Sequence, residues 1–288
     1  MPQPLVSAVI LNYRTPQPAV RCTQALLKQT IGGLSDPARA DRIEILLIDN
    51  HSNDDSIGVL RTRFRNEPRV RIIEVPTNRG YGGGNNYAIR RAEGEYLFII
   101  NPDNELQSDG LEKLVAAMEE DSSIGILAPR LVYDDGTLRD SHRRFPRMLD
   151  VFIKRTPFQR FFKRRLDHYL QRDRDASVMQ ETDWVHGACL LMRRDFYAQL
   201  GGFDERFFLF FEDTDLCRRV WEAGKRVVYF PSVSAKDSKV RLSEGGFFSL
   251  LTKKVNRAHV ASAFKYFWKW RNRERQTCGF PSTSHPFP

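Results

Sequence analysis

Two groups of acidic residues in this chain could act on a phosphorylated substrate. The first lies in the segment Asn101-Pro102-Asp103-Asn104, which directly follows an apolar run at 96–100. Mg²⁺ or Mn²⁺ usually takes one or two protein carboxylates together with phosphate oxygens and waters. Asp103 is therefore predicted to bind a divalent cation together with a diphosphate. The alternative is an ordinary Asn-Pro-Asp turn.

The second group is Glu212-Asp213-Thr214-Asp215, which follows a strongly aromatic run at 207–211. Acidic residues at the start of a helix interact favourably with the helix dipole, and capping could explain one or two of them. Burial beside phenylalanines would raise the pKa of a carboxyl group and make it a better general base. We therefore expect a catalytic base in this segment.

The elements that must position these groups alternate between apolar runs and amphipathic stretches. Strands are predicted at 5–12, 43–49, 70–75 and 96–101, with helices at 18–29, 54–65 and 84–92 between them. This order indicates an α/β fold with a mostly parallel sheet flanked by helices. Ligands bind such sheets at the carboxyl ends of the strands. Polar residues follow each predicted strand there, namely Asn12, Asp49, Asn78 and Asp103.

A glycine-rich stretch, Gly80 to Gly84, precedes the third predicted helix. Glycines allow backbone amides to approach a phosphate or a sugar closely, and the positive end of a helix favours an anion. Flexible turns have the same composition, and neither the P-loop ending nor a clean Rossmann spacing is present. The stretch therefore predicts part of a donor site of another kind.

Beyond residue 110 the order is less regular. We predict a helix at 111–118, a strand at 124–132, a strand at 183–192, a helix at 213–223 and a strand at 226–230 that Pro231 ends. Residues 139–180 are rich in arginine and aromatics, and predict a basic insertion formed by a mobile loop or short helices. The predicted organisation is a catalytic domain at 1–240, a basic aromatic helical extension at 241–276 and a disordered tail at 277–288.

Composition narrows the class of protein. The 288 residues carry a net charge of +9, and no apolar run approaches the roughly 20 residues that span a bilayer. The start of the chain lacks the pattern of a secretory signal, so we expect a cytoplasmic protein. Four scattered cysteines indicate neither a disulfide framework nor a zinc site.

Positive charge concentrates in the 139–174 region and in the C-terminal helix predicted at 247–275. Basic segments with interleaved aromatics suit an anionic membrane surface or a polyanion, although a solvated helix face has the same pattern. We expect peripheral association with the inner face of the cell membrane, with Trp268 and Trp270 at the interface, and no nucleic-acid partner.

The succession of these blocks resembles glycosyltransferase family 2, inverting enzymes with the GT-A fold, and in particular its bacterial rhamnosyltransferase-like members. The resemblance covers about residues 6–266 and depends on order and spacing. Its blocks are Val9-Ile10-Leu11-Asn12-Tyr13, Asp49-Asn50-x-Ser52, Asn78-x-Gly80-Tyr81-Gly82 with Asn85-Asn86, Asn101-Pro102-Asp103, Gly187-Ala188, and Gly202-Phe203-Asp204-Glu205 with Phe210-Phe211-Glu212-Asp213-x-Asp215-Leu216.

The resemblance implies a role for each matching residue. Asp213 would be the catalytic base, and Glu212 and Asp215 would orient it or contact the acceptor. Asp103 would bind Mg²⁺ or Mn²⁺. The donor, a nucleotide-diphosphate sugar such as dTDP-rhamnose, would be bound by Asn12, Asp49, Asn78, Gly80, Gly82, Asn85 and Asp103. The acceptor would be a lipid-linked glycan or a polysaccharide in cell-envelope synthesis.

Two departures from the family pattern affect the metal. Asn101 stands at the first acidic position of the metal motif, and Ala235-Lys236-Asp237 stands where related sequences often carry histidine. Either Asp237 also binds the metal, or Lys236 contacts the diphosphate and makes the metal partly dispensable. Two other functions stay open on the sequence, a sugar-phosphate nucleotidyltransferase and a non-catalytic polyanion-binding protein.

Overall fold

The computed structural model describes residues 3–29, 42–154, 157–238 and 254–272. Its N-terminal half alternates strands and helices as predicted. The elements are β1 Val6–Asn12, α1 Pro16–Leu27, β2 Ile43–Asp49, α2 Ser56–Phe64, β3 Val70–Glu74, α3 Gly80–Ile89 and β4 Tyr96–Ile100.

The second half is built from shorter pieces. They are β5 Asn104–Leu106, α4 Gly110–Glu120, β6 Ile124–Tyr133, β7 His142–Arg143, α5 Met148–Lys154, a 3₁₀ turn Pro157–Arg160, α6 Lys163–Tyr169, β8 Gln180–Glu181, β9 Trp184–Val185, β10 Cys189–Arg193, α7 Arg194–Gln199, α8 Glu212–Glu222, β11 Arg226–Asp237 and α9 Lys254–Lys269. None of the described helices is long and apolar enough to cross a membrane.

One large mixed sheet organises these elements. Its strand order is β3-β2-β1-β4-β10-β6-β11-β5, and β8 pairs with β11. The first four strands run parallel, whereas β10 is antiparallel to both of its neighbours. Parallel pairing aligns Asn12 of β1 with Asp49 of β2. The predicted α/β class is confirmed, and the strand ends lie side by side at one edge.

The sheet is covered on both faces, which explains the continuous apolar runs of its central strands. In β1, Ala8 and Ile10 join the core on the side of α1, α2 and α4, while Val9 and Leu11 join the core on the side of α3, α7 and α8. This alternation follows from the two-residue period of a strand. A rigid, fully buried scaffold therefore presents the strand ends.

The structure corrects three predicted boundaries. Helix α3 begins at Gly80 and not at 84, so the glycine-rich stretch is helical. Strand β11 continues past Pro231 to Asp237, because a register shift between Phe230 and Ser234 accommodates the proline. The strand predicted at 183–192 is divided into β9 and β10 by residues 186–188.

Residues 139–180, the predicted basic insertion, contain the short elements from β7 through α6. The C-terminal helix is present as α9. The predicted parts of this helix at 247–253 and 273–275, and the tail at 277–288, lie outside the described residues.

Candidate active site

The ends of β1 and β2 hold a buried polar cluster. Asn12 Nδ2 donates to Asp49 Oδ1 at 2.8 Å, and Ser52 Oγ donates to the same oxygen at 2.5 Å. The Ser52 amide donates to Asp49 Oδ2 at 3.1 Å. These hydrogen bonds fix the Asp49 carboxylate and satisfy a charge that is almost fully buried. Asn12 and Asp49 are thus brought together as the sequence predicts.

A second polar group connects β2 with α3. Asn50 Nδ2 donates to Asn78 Oδ1 at 3.2 Å and to the Gly80 carbonyl at 3.1 Å. Asn78 Oδ1 also accepts the Gly80 amide at 2.9 Å. Asn78 is therefore held at the start of α3, beside the ends of β2 and β3.

The glycines of α3 serve close packing. Gly80 has φ of +71°, and a Cβ there would lie 2.0 Å from the Phe208 carbonyl oxygen. A Cβ at Gly82 would lie 2.9 Å from Phe203 Cβ, and one at Gly84 would lie 2.5 Å from Leu11 Cδ1. Because these contacts are with protein atoms, the glycines allow the 203–208 loop and β1 to touch the helix. The donor-binding role of Gly80 and Gly82 stays a prediction.

The Asp103 turn is tied to the segment that precedes β10. The Asn101 amide donates to the Ala188 carbonyl at 2.8 Å, and Asn104 Nδ2 donates to the same oxygen at 3.2 Å. Burial raises the pKa of the Asp103 carboxyl, while the nearby charge of Arg139 acts in the opposite direction. The turn therefore presents a partly desolvated carboxyl at the end of β4.

The same segment holds Asp213, one residue earlier. The Gly187 amide donates to Asp213 Oδ2 at 3.0 Å, and the Gly187 carbonyl accepts the Tyr81 hydroxyl at 2.6 Å. A Cβ at Gly187 would lie 3.3 Å from Asp213 Cβ. Residues 187–188 thus connect the Asp103 turn, helix α3 and the start of α8 in one site.

The two acids that begin α8 are desolvated. Burial raises the pKa of Asp213, against the lowering effect of its hydrogen bonds from the Gly187 and Thr214 amides. Burial and the adjacent Asp213 charge also raise the pKa of Glu212 well above its ordinary value. Within the described residues, no lysine or arginine forms an ion pair with either acid. Asp213 keeps partial exposure, whereas Glu212 is buried, so Asp213 is the better placed of the two to reach a substrate.

Backbone strain accompanies this pair. Phe210 and Phe211 have φ of 69° and 70°, the left-handed region that bulky side chains rarely occupy. Such conformations cost about 1–3 kcal/mol each and persist where packing imposes them. Here the buried Phe211 packs against Tyr266 and Phe267 of α9. The strained turn delivers Glu212 and Asp213 directly into the first turn of α8.

Two arginines at the start of the insertion reach the site. Arg139 forms an ion pair with Asp237, and its charge also acts on Asp103. Arg143 is close enough to lower the pKa of Asp213 electrostatically. Sequence reasoning assigned no role to either residue, although both lie in the arginine-rich stretch after residue 138.

The carboxylates near Arg139 also decide how a metal could bind. Strand pairing places Asp237 opposite Asn104, next to the Asp103 turn, but Asp237 is paired with Arg139. The Oδ1 atoms of Asn101 and Asn104 are buried oxygens without a hydrogen-bond donor. Oxygens of this kind, together with Asp103, fit a hard divalent cation that takes its other ligands from a diphosphate. No group of three acidic, histidine or cysteine side chains that could hold a metal ion occurs among the described residues.

Lys236 points away from this group. Neighbouring residues of a strand project to opposite faces of the sheet, and Lys236 is exposed whereas Asp237 is buried. Arg139, and not Lys236, is therefore the cation beside Asp103.

The structure does not bring Asp215 to the site. Its side chain is fully buried and bonded to Arg219, Lys269 and the Trp270 indole, at 2.8, 2.6 and 3.0 Å. Asn85 lies within α3, where its Nδ2 donates to the Tyr81 carbonyl at 2.9 Å. Tyr81 and Gly187, which sequence reasoning left without a role, occupy the centre of the site.

Comparisons with known proteins identify the family of this chain. Residues 7–201 match the sequence profile of Glycosyl transferase family 2. The N-acetylglucosaminyl-diphospho-decaprenol L-rhamnosyltransferase of Mycobacterium tuberculosis is 28% identical over 254 residues, which cover 82% of this chain and 79% of that protein. Rhamnosyltransferase WbbL of Escherichia coli K12 is 29% identical over 203 residues, covering 67% of this chain and 71% of the relative.

Solved structures show the same fold at lower identity. GalNAc-T7 with UDP, GalNAc and Mn²⁺ superposes with a TM-score of 0.60 at 15% identity, covering 85% of this chain and 45% of that chain. The mannosyltransferase PcManGT of Pyrobaculum calidifontis, with GDP-Man and Mn²⁺, gives a TM-score of 0.57 at 19% identity and covers 84% and 59%. This chain spans about half the length of these structures, and the likeness confirms the GT-A fold.

Proposed function

Because this chain belongs to glycosyl transferase family 2 and is a glycosyltransferase, we propose that it transfers rhamnose from dTDP-rhamnose to a lipid-diphosphate-linked sugar in cell-envelope glycan synthesis. The observation that carries the proposal is the segment 187–188, which binds the desolvated Asp213 and the Asp103 turn at the same time. The names of the rhamnosyltransferase relatives support the choice of sugar and of acceptor.

The proposed reaction proceeds with inversion. The acceptor hydroxyl oxygen attacks the anomeric carbon, and Asp213 takes the proton from that hydroxyl. The bond between the anomeric carbon and the diphosphate oxygen breaks, and the nucleoside diphosphate leaves with the bonding electrons. The raised pKa of Asp213 suits this role, because a carboxylate whose conjugate acid is weaker accepts the proton more readily.

The nucleotide is assigned to the strand ends. Asp49 is held by Asn12 and Ser52, and it can accept hydrogen bonds from a base N–H or a ribose hydroxyl. Asp103 would hold Mg²⁺ or Mn²⁺, which supplies positive charge to the departing diphosphate when bound. Arg139, beside Asp103, adds a fixed positive charge at the same place.

Transfer from dTDP-rhamnose to a synthetic polyprenyl-diphosphate N-acetylglucosamine tests the proposal. We expect a product heavier by one rhamnose, found by mass spectrometry, and release of dTDP. If the enzyme does not use dTDP-rhamnose but does use another nucleotide sugar, the proposed sugar is wrong and the protein is still a glycosyltransferase. Release of pyrophosphate from a nucleoside triphosphate would instead indicate a nucleotidyltransferase. The family match disfavours this function, and it also disfavours a purely polyanion-binding role.

Donor binding separates the contributions of Asp103 and Arg139. We expect Asp103→Ala to abolish the gain in dTDP affinity that Mn²⁺ produces, measured by titration calorimetry. Arg139→Gln should weaken dTDP binding in the presence of a chelator. If dTDP affinity in Asp103→Ala depends on Mn²⁺ as in the wild type, Asp103 does not bind the metal. If Arg139→Gln binds dTDP as tightly as the wild type in the presence of a chelator, Arg139 does not contact the diphosphate.

The acceptor class also suggests where the enzyme works. A lipid-linked acceptor lies in the membrane, so we propose peripheral association with the inner face of the cell membrane. The charge of residues 139–174 supports this placement, since basic segments are attracted to anionic lipid.

A further inference from the structure

Exposed apolar side chains are concentrated in two segments. Of the twelve large hydrophobic residues that are exposed in the described part of the chain, eight belong to residues 148–162 or to α9. Those of the first segment are Met148, Leu149, Phe152, Phe161 and Phe162, and those of α9 are Val260, Phe264 and Trp268. We call these eight side chains the apolar face.

Helix α9 is apolar on two sides. Ser262, Tyr266 and Trp270, spaced by four residues, are buried against the rest of the protein. Val260, Phe264 and Trp268, also spaced by four, form a separate stripe along the exposed side, with Trp268 70% exposed. The first stripe fastens the helix, which corrects the expectation that Trp270 lies at a membrane. The second stripe is exposed, and Arg271 stacks on its Trp268.

The two segments of the apolar face adjoin each other. Val151 of α5 packs against the buried cluster that contains Tyr266 and Trp270, to which Phe267 of α9 also contributes. Helix α5 in turn packs against the 3₁₀ turn and α6, which flank Phe161 and Phe162. The two segments are therefore joined through their buried sides, and each carries exposed apolar side chains on its other side.

The charged residues of these two segments are mostly positive. Residues 147–165 contain seven arginines and lysines and one acid, Asp150, which is buried and paired with Arg165. Residues 254–271 contain five basic residues and no acid. Lys269 is used internally by Asp204 and Asp215, but Arg257 and Arg271 are exposed, and Arg271 stacks on Trp268.

The segment Phe208-Leu209 connects the candidate active site with α9. The Phe208 carbonyl accepts the Tyr81 amide at 2.9 Å, and Phe208 is itself 47% exposed. The adjacent Leu209 carbonyl accepts the Ser262 hydroxyl of α9 at 2.9 Å. One short segment thus joins the donor side of the site to the helix that carries Phe264 and Trp268.

We propose that the apolar face inserts into the surface of an anionic lipid bilayer and so presents the active site to a membrane-bound acceptor. Aromatic and aliphatic side chains surrounded by arginine and lysine match the boundary between acyl chains and negative headgroups. A nucleic acid would use the cations and the aromatic rings, but it gives no role to Met148, Leu149 or Val260. This inference names the surface that would bind the membrane. It rests on the proposed function only in assuming a membrane-bound acceptor.

Vesicle flotation tests the apolar face with the full-length protein. The probes are vesicles of phosphatidylcholine alone and vesicles that also contain phosphatidylglycerol. We expect binding to the anionic vesicles, weakened by salt. The paired substitutions Met148→Ser with Phe152→Ser, and Phe264→Ser with Trp268→Ser, should each lower the binding constant about tenfold, and their combination should abolish flotation.

The matched control is Val178→Ser, which removes an apolar side chain that is 54% exposed and outside both segments. It should bind vesicles like the wild type. The melting temperature and dTDP binding of every variant should match the wild type, since the substituted side chains are exposed. Full flotation by the fourfold variant overturns the proposal, and so does a wild-type protein that binds DNA but not anionic vesicles. A wild-type dimer that the substitutions dissociate, without any vesicle binding, would assign the surface to self-association and would also overturn it.

The two proposals fail independently. If the protein binds vesicles through the apolar face but transfers sugar to no acceptor, the proposed reaction is wrong and the proposed membrane surface is retained. If the protein transfers sugar to a soluble acceptor but does not bind vesicles, the proposed membrane surface is wrong and the proposed reaction is retained.

Discussion

The two sides of helix α8 carry aspartates of opposite character. Asp213 faces residue Gly187 and the candidate active site, is partly exposed, and has a raised pKa without a paired cation among the described residues. Asp215 faces α9, is fully buried, and is bonded to Lys269, Arg219 and Trp270. Two residues of a helix separate the side chains by about 200° around its axis.

The difference shows how one short acidic motif serves chemistry and architecture together. A carboxylate kept without a counter-ion in a desolvated site retains basicity, at a cost to stability. A carboxylate that is paired with two cations holds neighbouring elements of the structure together. Because Lys269 and Trp270 hold Asp215, the C-terminal helix fixes the helix whose other side carries Asp213.

The strongest test exchanges Asp213 for asparagine. Loss of a general base should lower kcat by about 10²–10⁴-fold while dTDP binding stays close to that of the wild type. The melting temperature should not fall, because the removed charge is one that the folded protein disfavours. Rate assays with saturating donor and acceptor, together with calorimetry, measure both effects. Substantial turnover by this variant would exclude Asp213 as the base.

Asp215→Asn is the matched substitution on the other side of the helix. Removing one member of a buried ion-paired group should lower the free energy of unfolding by about 2–4 kcal/mol, since Arg219 loses its carboxylate partner and Lys269 is left with Asp204. The remaining folded protein should keep most of its kcat. Denaturant unfolding and active-site titration separate the two quantities. A catalytic loss as large as that of Asp213→Asn in a protein of normal stability would return Asp215 to the reaction.

The sequence was sufficient to predict the strand ends, because continuous apolar runs identified the strands and parallel pairing aligns their ends. Asn12, Asp49, Asn78 and the Asp103 turn follow from that reasoning. Asp213 and Asp215 could not be separated in this way. A helix begins at Glu212, but which side faces a substrate depends on α9, more than forty residues later in the chain.

The same limit applies to other features that depend on contacts distant in sequence. The glycines of α3 predict part of a donor site, and their close packing against the 203–208 loop could not be predicted from the sequence because that loop is distant in the chain. Arg139 and Arg143 lie in a stretch with weak periodicity. The ion pair of Arg139 with Asp237, and the effect of the Arg143 charge on Asp213, depend on the tertiary fold. Pro231 was expected to end a strand, but the register shift beside it lets β11 continue.

The pH dependence should also distinguish the two sides. Asp213 acts as a base only when it is deprotonated, and its pKa is raised, so the acidic limb of kcat/KM should lie above the ordinary aspartate value. Below that limb the rate should fall about tenfold per pH unit. Asp215→Asn should show the same limb as the wild type, and this variant is therefore the control. A limb at the ordinary aspartate pKa would contradict a desolvated base.

Stability should respond to pH in opposite directions at the two sides. The raised pKa values of Glu212 and Asp213 favour their protonated forms in the folded protein, so their contribution is present at low pH and is lost as the pH rises through the folded values. Asp204 behaves in the reverse sense. Although burial opposes it, hydrogen bonds from Arg206 and Lys269 lower the pKa of Asp204, and its contribution is lost as the pH falls. Acidification should therefore loosen α9 before the start of α8, as hydrogen exchange of the two helices would measure.

The smallest expected effect comes from Trp270→Phe, which keeps a smaller aromatic ring against α8 and removes the indole N–H that binds Asp215 at 3.0 Å. One hydrogen bond to a carboxylate should contribute about 1–2 kcal/mol to the free energy of unfolding. Because Lys269 and Arg219 still hold Asp215, the position of Asp213 should not change, and kcat should stay at the wild-type value. A fall in kcat larger than the fall in stability would show that α9 controls the geometry of the catalytic side. In that case the two sides of α8 would be coupled through Trp270. Asp215 could then no longer be described as structural only, separate from the catalytic Asp213.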